Sequence, residues 1–394
     1  MRLLFVKESL SWPRTSGHDL YCYYPMRELA RLGHEVSLLT AVPTAPEAVA
    51  GVPLVLRRAF SEVNGHADAC PPPSFTRLQE RFRSYWGVAT ERVAAVGRTA
   101  QECGADAVVV IGLNALPYLA GVRGARRVWY AADEWAWHHL SLVQWARPST
   151  WKELKTAAVK GLYERAYGPL LDAVWVVSEA DQRAMRRVAG VGAVDLIPYG
   201  VDTDYYCPSE RPHIERSCVF WGRLDFEPNV QALEWFCRRV WPALRTEAPG
   251  ARFLIYGLKA GEAVRALAGR DGVELTPDLP DLRGEVARGQ VVVLPFVSGG
   301  GVKSKLLEAA GMGKAILCTP RACNGLCSDG PLPLLTAARP RDWVREILAL
   351  WSAPERLREL GAKARQWVLR HHTWSAGGRA AALSLERALQ GPPR

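Results

Sequence analysis

The sequence predicts an α/β protein made of two successive doubly wound units, and three observations carry that prediction. Short runs rich in Val, Leu and Ile alternate with helical patterns along the chain, as in parallel sheets covered on both faces. The series restarts once, near residue 216, after the polar, Pro-containing stretch CPSERPHIER at 207–216, which has the composition of a domain boundary. The length of 394 residues, 48% of them hydrophobic, suits two domains of ordinary size.

RLLFV at 2–6 reads as a buried strand, SWPRTSGH as a loop, and roughly 18–32 as a helix whose left-handed cap falls on Gly33. EVSLLT at 35–40 resumes a strand and completes a right-handed βαβ unit. The segment 76–98 is basic with an apolar stripe; it reads as an amphipathic surface helix, with a membrane-surface helix as the alternative. ADAVVVIG (105–112), RVWYAAD (127–133), DAVWVVS (172–178) and VDLIPYG (194–200) follow as strands. Ser178 and Asp181 have the spacing of a capping box, so a helix opens there. In the second series CVFWGR (218–223) is a strand, a helix begins near Pro228, and ARFLIYG, VELT, VVVLPFV and AILCT supply the later strands.

Composition narrows the function. The net charge of +10 suits an anionic partner, yet Lys and Arg are dispersed and no nucleic-acid motif is present, so nucleic acid is not expected. The first apolar run is too short for a signal peptide. AVVVIGLNALPYLAGV is interrupted by Asn114 and Pro117 and falls short of the roughly 18 residues of a spanning helix. A cytoplasmic protein is expected, with peripheral contact to the inner membrane face left open. The nine cysteines are scattered and form no zinc motif. DTD at 202–204 formally matches a metal-binding pair but lies far in sequence from the site described next; no metal is expected.

That site is FVSGGGVKSKLLEAAGMGK at 296–314. A strand ends near Val297, three glycines follow, and a helix starts near Val302. Glycines let the backbone approach a ligand, the first helical N–H groups lack partners, and the dipole there is positive. Strand, glycine turn and helix together make an anion site. At 100° per residue Gly301, Lys305 and Glu308 share one stripe, so a cation and a carboxylate trail back from the cradle. Lys303 in the first turn opposes the dipole unless an anion is present. The same spacing also fits a plain strand–helix turn with an exposed Lys305–Glu308 pair. Arg223, just past the end of another parallel strand, offers a fork-shaped phosphate ligand; alone, it would read as a surface ion-pair residue.

In this order, GHEVSLLT, VVSEADQRAM, LIPYGVDTDYY, FWGRLDFEPN, VELTPDLPDL and PFVSGGGVKSKLLEAAGMGKAILCT resemble the retaining glycosyltransferases of GT-B fold, the glycogen-synthase-like family-four group. The resemblance spans most of the chain. It implies two Rossmann-like domains facing a cleft: 1–208, completed by a final helix crossing back within 375–394, for the acceptor, and 209–374 for a nucleotide sugar. By this resemblance Arg223 and the Gly299, Gly300 and Gly301 turn contact the diphosphate, Glu308 binds ribose, and Pro277, Asp278 and Leu279 lie beside the base. The loop around Gly17 approaches the donor from the first domain. Three positions depart from the family pattern: Asn229 replaces a common lysine, whose charge Lys303 or Lys305 takes over; Gly300 replaces the first of two glutamates; and Asp133 replaces a histidine.

The expected reaction is transfer of a hexose-like sugar from a nucleotide diphosphate to a hydroxyl with retention of configuration. Arg223, Lys305 and Lys303 would stabilise the departing diphosphate, and Asp133 would orient or deprotonate the acceptor. The nucleotide sugar is a co-substrate and no cofactor is expected. The acceptor is a glycan, a lipid-linked molecule or a small molecule. His138 and His139 read as surface residues. Trp12, Trp135 and Trp137 read as core or sugar-stacking residues. The alternatives are a non-catalytic nucleotide-sugar scaffold and an epimerase or phosphorylase of the same fold. A dinucleotide oxidoreductase is disfavoured because the first βα turn lacks GxGxxG.

Overall fold

The computed structural model describes residues 1–12, 17–63, 73–132, 134–141, 143, 150–279, 281–299 and 301–391. The chain divides into two compact units, Met1–Tyr199 with Trp374–Arg394, and Gly200–Thr373.

The first unit runs β1 (Arg2–Lys7), α1 (Gly17–Arg31), β2 (Glu35–Thr40), β3 (Leu54–Ala59), α2 (Arg77–Tyr85), α3 (Thr90–Glu102), β4 (Ala107–Ile111), β5 (Arg126–Ala132), α4 (Trp135–Ser141), α5 (Thr150–Tyr167), β6 (Ala173–Val176), α6 (Glu179–Val188) and β7 (Val194–Leu196). Its strands form one parallel sheet in the order β3-β2-β1-β4-β5-β6-β7. The order reverses between β1 and β4, the point where open α/β sheets leave a crevice for ligands. The apolar runs of β1, β4 and β6 are buried as their composition requires. Ser178 caps α6 by accepting from the Asp181 N–H at 3.1 Å.

The segment 76–98 is two helices rather than one. Thr76 caps α2 and accepts from the Gln79 N–H; the chain then turns at Gly87, where φ is +69°, a conformation that ends a helix. The apolar stripe of α2 faces inward, with buried Phe82 edge-on to Tyr163 at 5.2 Å. The proline in VDLIPYG shortens that strand to β7, and β3 lies outside the sequence-based expectation because half-buried and exposed positions alternate along it.

The second unit runs β8 (Ser217–Arg223), α7 (Glu227–Arg239), α8 (Trp241–Glu247), β9 (Arg252–Leu258), α9 (Glu262–Arg265), β10 (Val273–Pro277), α10 (Arg283–Arg288), β11 (Val291–Leu294), α11 (Ser304–Gly311), β12 (Ala315–Cys318), β13 (Leu335–Thr336), α12 (Pro340–Trp351) and α13 (Pro354–His371). Its parallel sheet has the order β10-β9-β8-β11-β12-β13, reversing between β8 and β11. Residues 200–208 fall in this unit, tied there by backbone bonds. Val201 N–H donates to the His372 carbonyl at 2.8 Å, and Arg365 donates to the carbonyls of Thr203 and Tyr206. Asp202 of the DTD stretch caps a turn, accepting from the N–H groups of Asp204 and Tyr205.

The last helix, α14 (Trp374–Gln390), belongs to the first unit. Trp374 stacks on Tyr24 at 4.3 Å and 4°. Trp175 Nε1 donates to Ser384 Oγ at 2.8 Å. A Cβ at Gly378 would collide with Glu28 of α1, so the bare backbone permits the close crossing. Among the described residues no helix is long and apolar enough to cross a membrane.

Candidate active site

The site forms at the reversal point of the second sheet, where β8 and β11 end side by side. VVVLPFV leaves the sheet at Leu294, ahead of Pro295, which has no N–H to contribute. The chain then bends at Gly299 (φ +86°) and Gly301 (φ +66°) before α11 begins at Ser304, two residues later than the sequence pattern suggests. Pro228 of α7 lies under Gly299, 3.2 Å from where a Cβ would project. At the head of the bend the Ser298 hydroxyl is buried and has no partner among the described residues. Gly300 lies outside the described residues.

Of the stripe read from the sequence, Lys305 and Glu308 both face β8, while Gly301 lies ahead of α11 in the bend. Lys305 Cε and Nζ occupy the space where a Cβ of Gly222 would stand, and Gly222 has φ +137°, so a side chain there is excluded by both space and conformation. Nζ is 5.9 Å from the Phe220 ring centre. One turn on, Glu308 Oε2 accepts from Trp221 Nε1 at 2.8 Å, which pins α11 to β8. Burial lowers the Lys305 pKa against the pull of Glu308. Burial raises that of Glu308 against Lys305 and the Trp221 bond. The strand end thus holds a mutually supporting cation and carboxylate.

Asn229 lies beside the same ammonium. Its Nδ2 donates to the Arg223 carbonyl at 2.6 Å and is 3.4 Å from the Gly222 Cβ position that Lys305 fills, while its Oδ1 is buried without a partner. Of the two lysines considered for the charge absent at 229, Lys305 reaches the spot. Lys303 is directed to Gly299 and to the Phe296 ring, 5.5 Å from its centre.

Arg223 ends β8 with its side chain half exposed and closed in a fork on Asp225, Nε to Oδ1 at 2.9 Å and Nη2 to Oδ2 at 2.8 Å. That bond raises the pKa of Arg223 and lowers that of Asp225. Asp278 holds a left-handed φ of +58°; its N–H donates to the Gly257 carbonyl and its Oδ1 accepts from the Lys259 N–H. This fixes the segment Pro277–Leu279 at the end of β10, two strands from Arg223. Gly17 opens α1 in the first unit, with only Tyr21 near its Cβ position. Asp133 lies outside the described residues.

Trp221, Asp225 and Ser298 escaped the sequence reading. Trp221 is the last of five consecutive buried positions of β8 and gave no sign of a polar role. His139 pairs with Glu153 at 2.6 Å, and Trp12 and Trp137 are exposed.

The profile "Glycosyltransferase Family 4" matches residues 15–205 and the profile "Glycosyl transferases group 1" matches 215–353, so together they take in most of the chain. The chain belongs to the GT-B glycosyltransferases. HepE from Anabaena, solved with UDP and glucose, shares the fold of this glycosyltransferase at a TM-score of 0.65 and 15% identity, over 98% of this chain and 99% of that one. TarM of S. aureus shares it at a TM-score of 0.71 and 10% identity, over 99% of each. The lipopolysaccharide outer core galactosyltransferase WaaB, in its apo form, shares it at a TM-score of 0.59 and 13% identity, over 98% of this chain and 99% of that one. None of the curated proteins matches the sequence.

Proposed function

We propose that this glycosyltransferase moves a hexose-like sugar from a nucleotide diphosphate to a hydroxyl acceptor with retention of configuration. The observation that carries the reading is the Lys305 ammonium held over Gly222, beside a glycine bend and a helix N-terminus at the sheet's reversal point. In this reading the amides of Gly299, Gly300 and Gly301 and the cations Lys305, Lys303 and Arg223 hold the diphosphate. Glu308, steadied by Trp221, receives the ribose hydroxyls, and Pro277, Asp278 and Leu279 border the base.

The bond from the sugar's anomeric carbon to the phosphate oxygen breaks, and a bond from that carbon to the acceptor oxygen forms on the same face. The acceptor proton leaves toward the diphosphate or Asp133. Charge grows on the diphosphate as it departs, and in this reading the lysine and arginine cations meet it. UDP binding by HepE supports a uridine donor for the first trial.

The test is nucleotide release from a panel of nucleotide sugars, with and without acceptor alcohols, in buffer containing EDTA. Proton NMR of the product gives its anomeric configuration. Nucleotide release that depends on acceptor, with an anomer matching the donor, supports the reading. Donor binding without any release establishes the non-catalytic scaffold instead, and an inverted anomer removes retention.

A further inference from the structure

The first sheet has its own reversal point, between β1 and β4, and a cavity of about 230 Å³ opens there. Its wall includes Lys7 and Glu8 after β1, Gly112 after β4, His18 of α1, and Trp86, Trp135 and Lys160. Most buried polar atoms in proteins find a partner. Here, among the described residues, three on its lining do not: His18 Nε2, Trp86 Nε1 and Trp135 Nε1 are each buried and unbonded. Lys160 Nζ stands 4.4 Å from the centre of the Trp135 ring and makes no ion pair among the described residues. The His18 ring stacks on the same indole at 5.8 Å and 18°. Two indole N–H groups without a partner among the described residues and the Lys160 side chain therefore line one space.

The other charges on this wall are already engaged. Lys7 is paired with Asp19 at 2.8 Å, and Glu8 accepts from the Tyr118 hydroxyl and lies 4.0 Å from Arg92. The acid nearest Lys160 along α5 is Glu164. Burial and its bond to Glu134 hold its pKa well above the ordinary range; burial likewise lowers the pKa of Lys160, against the pull of Glu164 and Glu153. Burial and the Lys7 ammonium lower the His18 pKa, which favours a ring nitrogen able to accept from a hydroxyl. An excess of unbonded donors beside a half-buried lysine calls for an oxygen-rich anion. The volume is below the roughly 300–1,000 Å³ of drug-sized pockets and suits one sugar ring.

We propose that this cavity is the acceptor subsite and takes a sugar unit bearing a carboxylate or phosphate, bound by Lys160 and the indole N–H groups of Trp86 and Trp135, with a hydroxyl on His18. The assignment rests on the transfer reading for its meaning, but the binding it predicts can be measured with no donor present.

The experiment uses the full chain labelled with ¹⁵N. The indole signals of Trp86 and Trp135 are identified from the Trp86→Phe and Trp135→Phe variants. D-glucuronate, α-D-glucose 1-phosphate and D-glucose are titrated separately. The expected result is a saturable shift of both signals by at least one anionic sugar, with glucose about tenfold or more weaker, as expected for loss of a charge-assisted bond. Which anion binds identifies the group as carboxylate or phosphate. Lys160→Met should weaken the anion by a similar factor while UDP still binds, which confirms that the protein is folded and the donor site intact. The proposal is overturned if neither anion moves the two signals, if glucose binds equally well, or if Lys160→Met binds the anion unchanged. Any of these leaves the donor cradle standing, whereas failed nucleotide release would count against the transfer reading and not against the cavity.

Discussion

Lys305 of α11 fills the space above Gly222 at the end of β8, and Asn229 sits beside it. In the proposed reading this contact lets Lys305 serve in place of the lysine that the resembling family carries at 229. Lys305→Met should lower kcat by about 10²–10³-fold, the usual cost of removing one group that stabilises transition-state charge. Asn229→Lys alone should also impair turnover, because it sets a second ammonium against the first. The double variant should recover activity relative to Lys305→Met. Steady-state kinetics on the four proteins checks this, and a double variant no better than Lys305→Met would show that the two positions are not exchangeable.

Arg223 must leave or share its fork on Asp225 to grip a phosphate. Arg223→Ala should lower kcat/KM sharply, while Asp225→Asn should lower the donor KM severalfold by releasing the guanidinium. Because both side chains are largely in solvent, the gain should shrink as salt is added. Donor KM measured across a salt series tests both statements.

Glu308 must be ionised to accept two ribose hydroxyls. Its raised pKa means that donor affinity should fall on acidification at a higher pH than for an ordinary glutamate. The Trp221 N–H bond holds that pKa down, so Trp221→Phe should move the acid limb to still higher pH. Isothermal titration with the nucleotide between pH 4 and 8 would show the shift, and an unmoved limb would place Glu308 away from the ribose.

Glu164 is buried, bonds the Trp135 N–H at 3.1 Å and keeps its proton well above the ordinary carboxylate range. In the window between the unfolded and the raised folded pKa the native state holds a proton that the unfolded chain releases. Stability therefore falls as pH rises through that window. Glu164→Gln, neutral at every pH, should flatten the slope and raise the melting temperature at alkaline pH relative to the parent. Thermal unfolding at pH 5 and pH 8 measures both.

The sequence made most of the fold legible because its central strands are continuous apolar runs, as at Val108–Val110 and Val291–Val293, and buried parallel strands need little else to be recognised. β3 was hidden because an edge strand needs only one covered face, and LVLRRA accordingly alternates. The bend at Gly299–Gly301 and the Lys305–Glu308 stripe were legible because helical spacing fixes direction. The Trp221–Glu308 bond and the Arg223–Asp225 fork were not, since each depends on side-chain reach that spacing does not encode. The cavity beside β1 was less visible still. Trp86, Trp135, His18 and Lys160 come from four separate segments, and only the folded sheet gathers them.

The close crossing of α14 on α1 has a consequence for how the protein is made. Tyr24 waits for Trp374, and Glu28 for Gly378, while the ribosome reads every codon of the second unit between them. At roughly 5–20 residues per second, that seat on the nascent chain stays empty for on the order of ten seconds or more. The first unit is thus interrupted by the second, Gly200–Thr373, and closes only once α14 has been made.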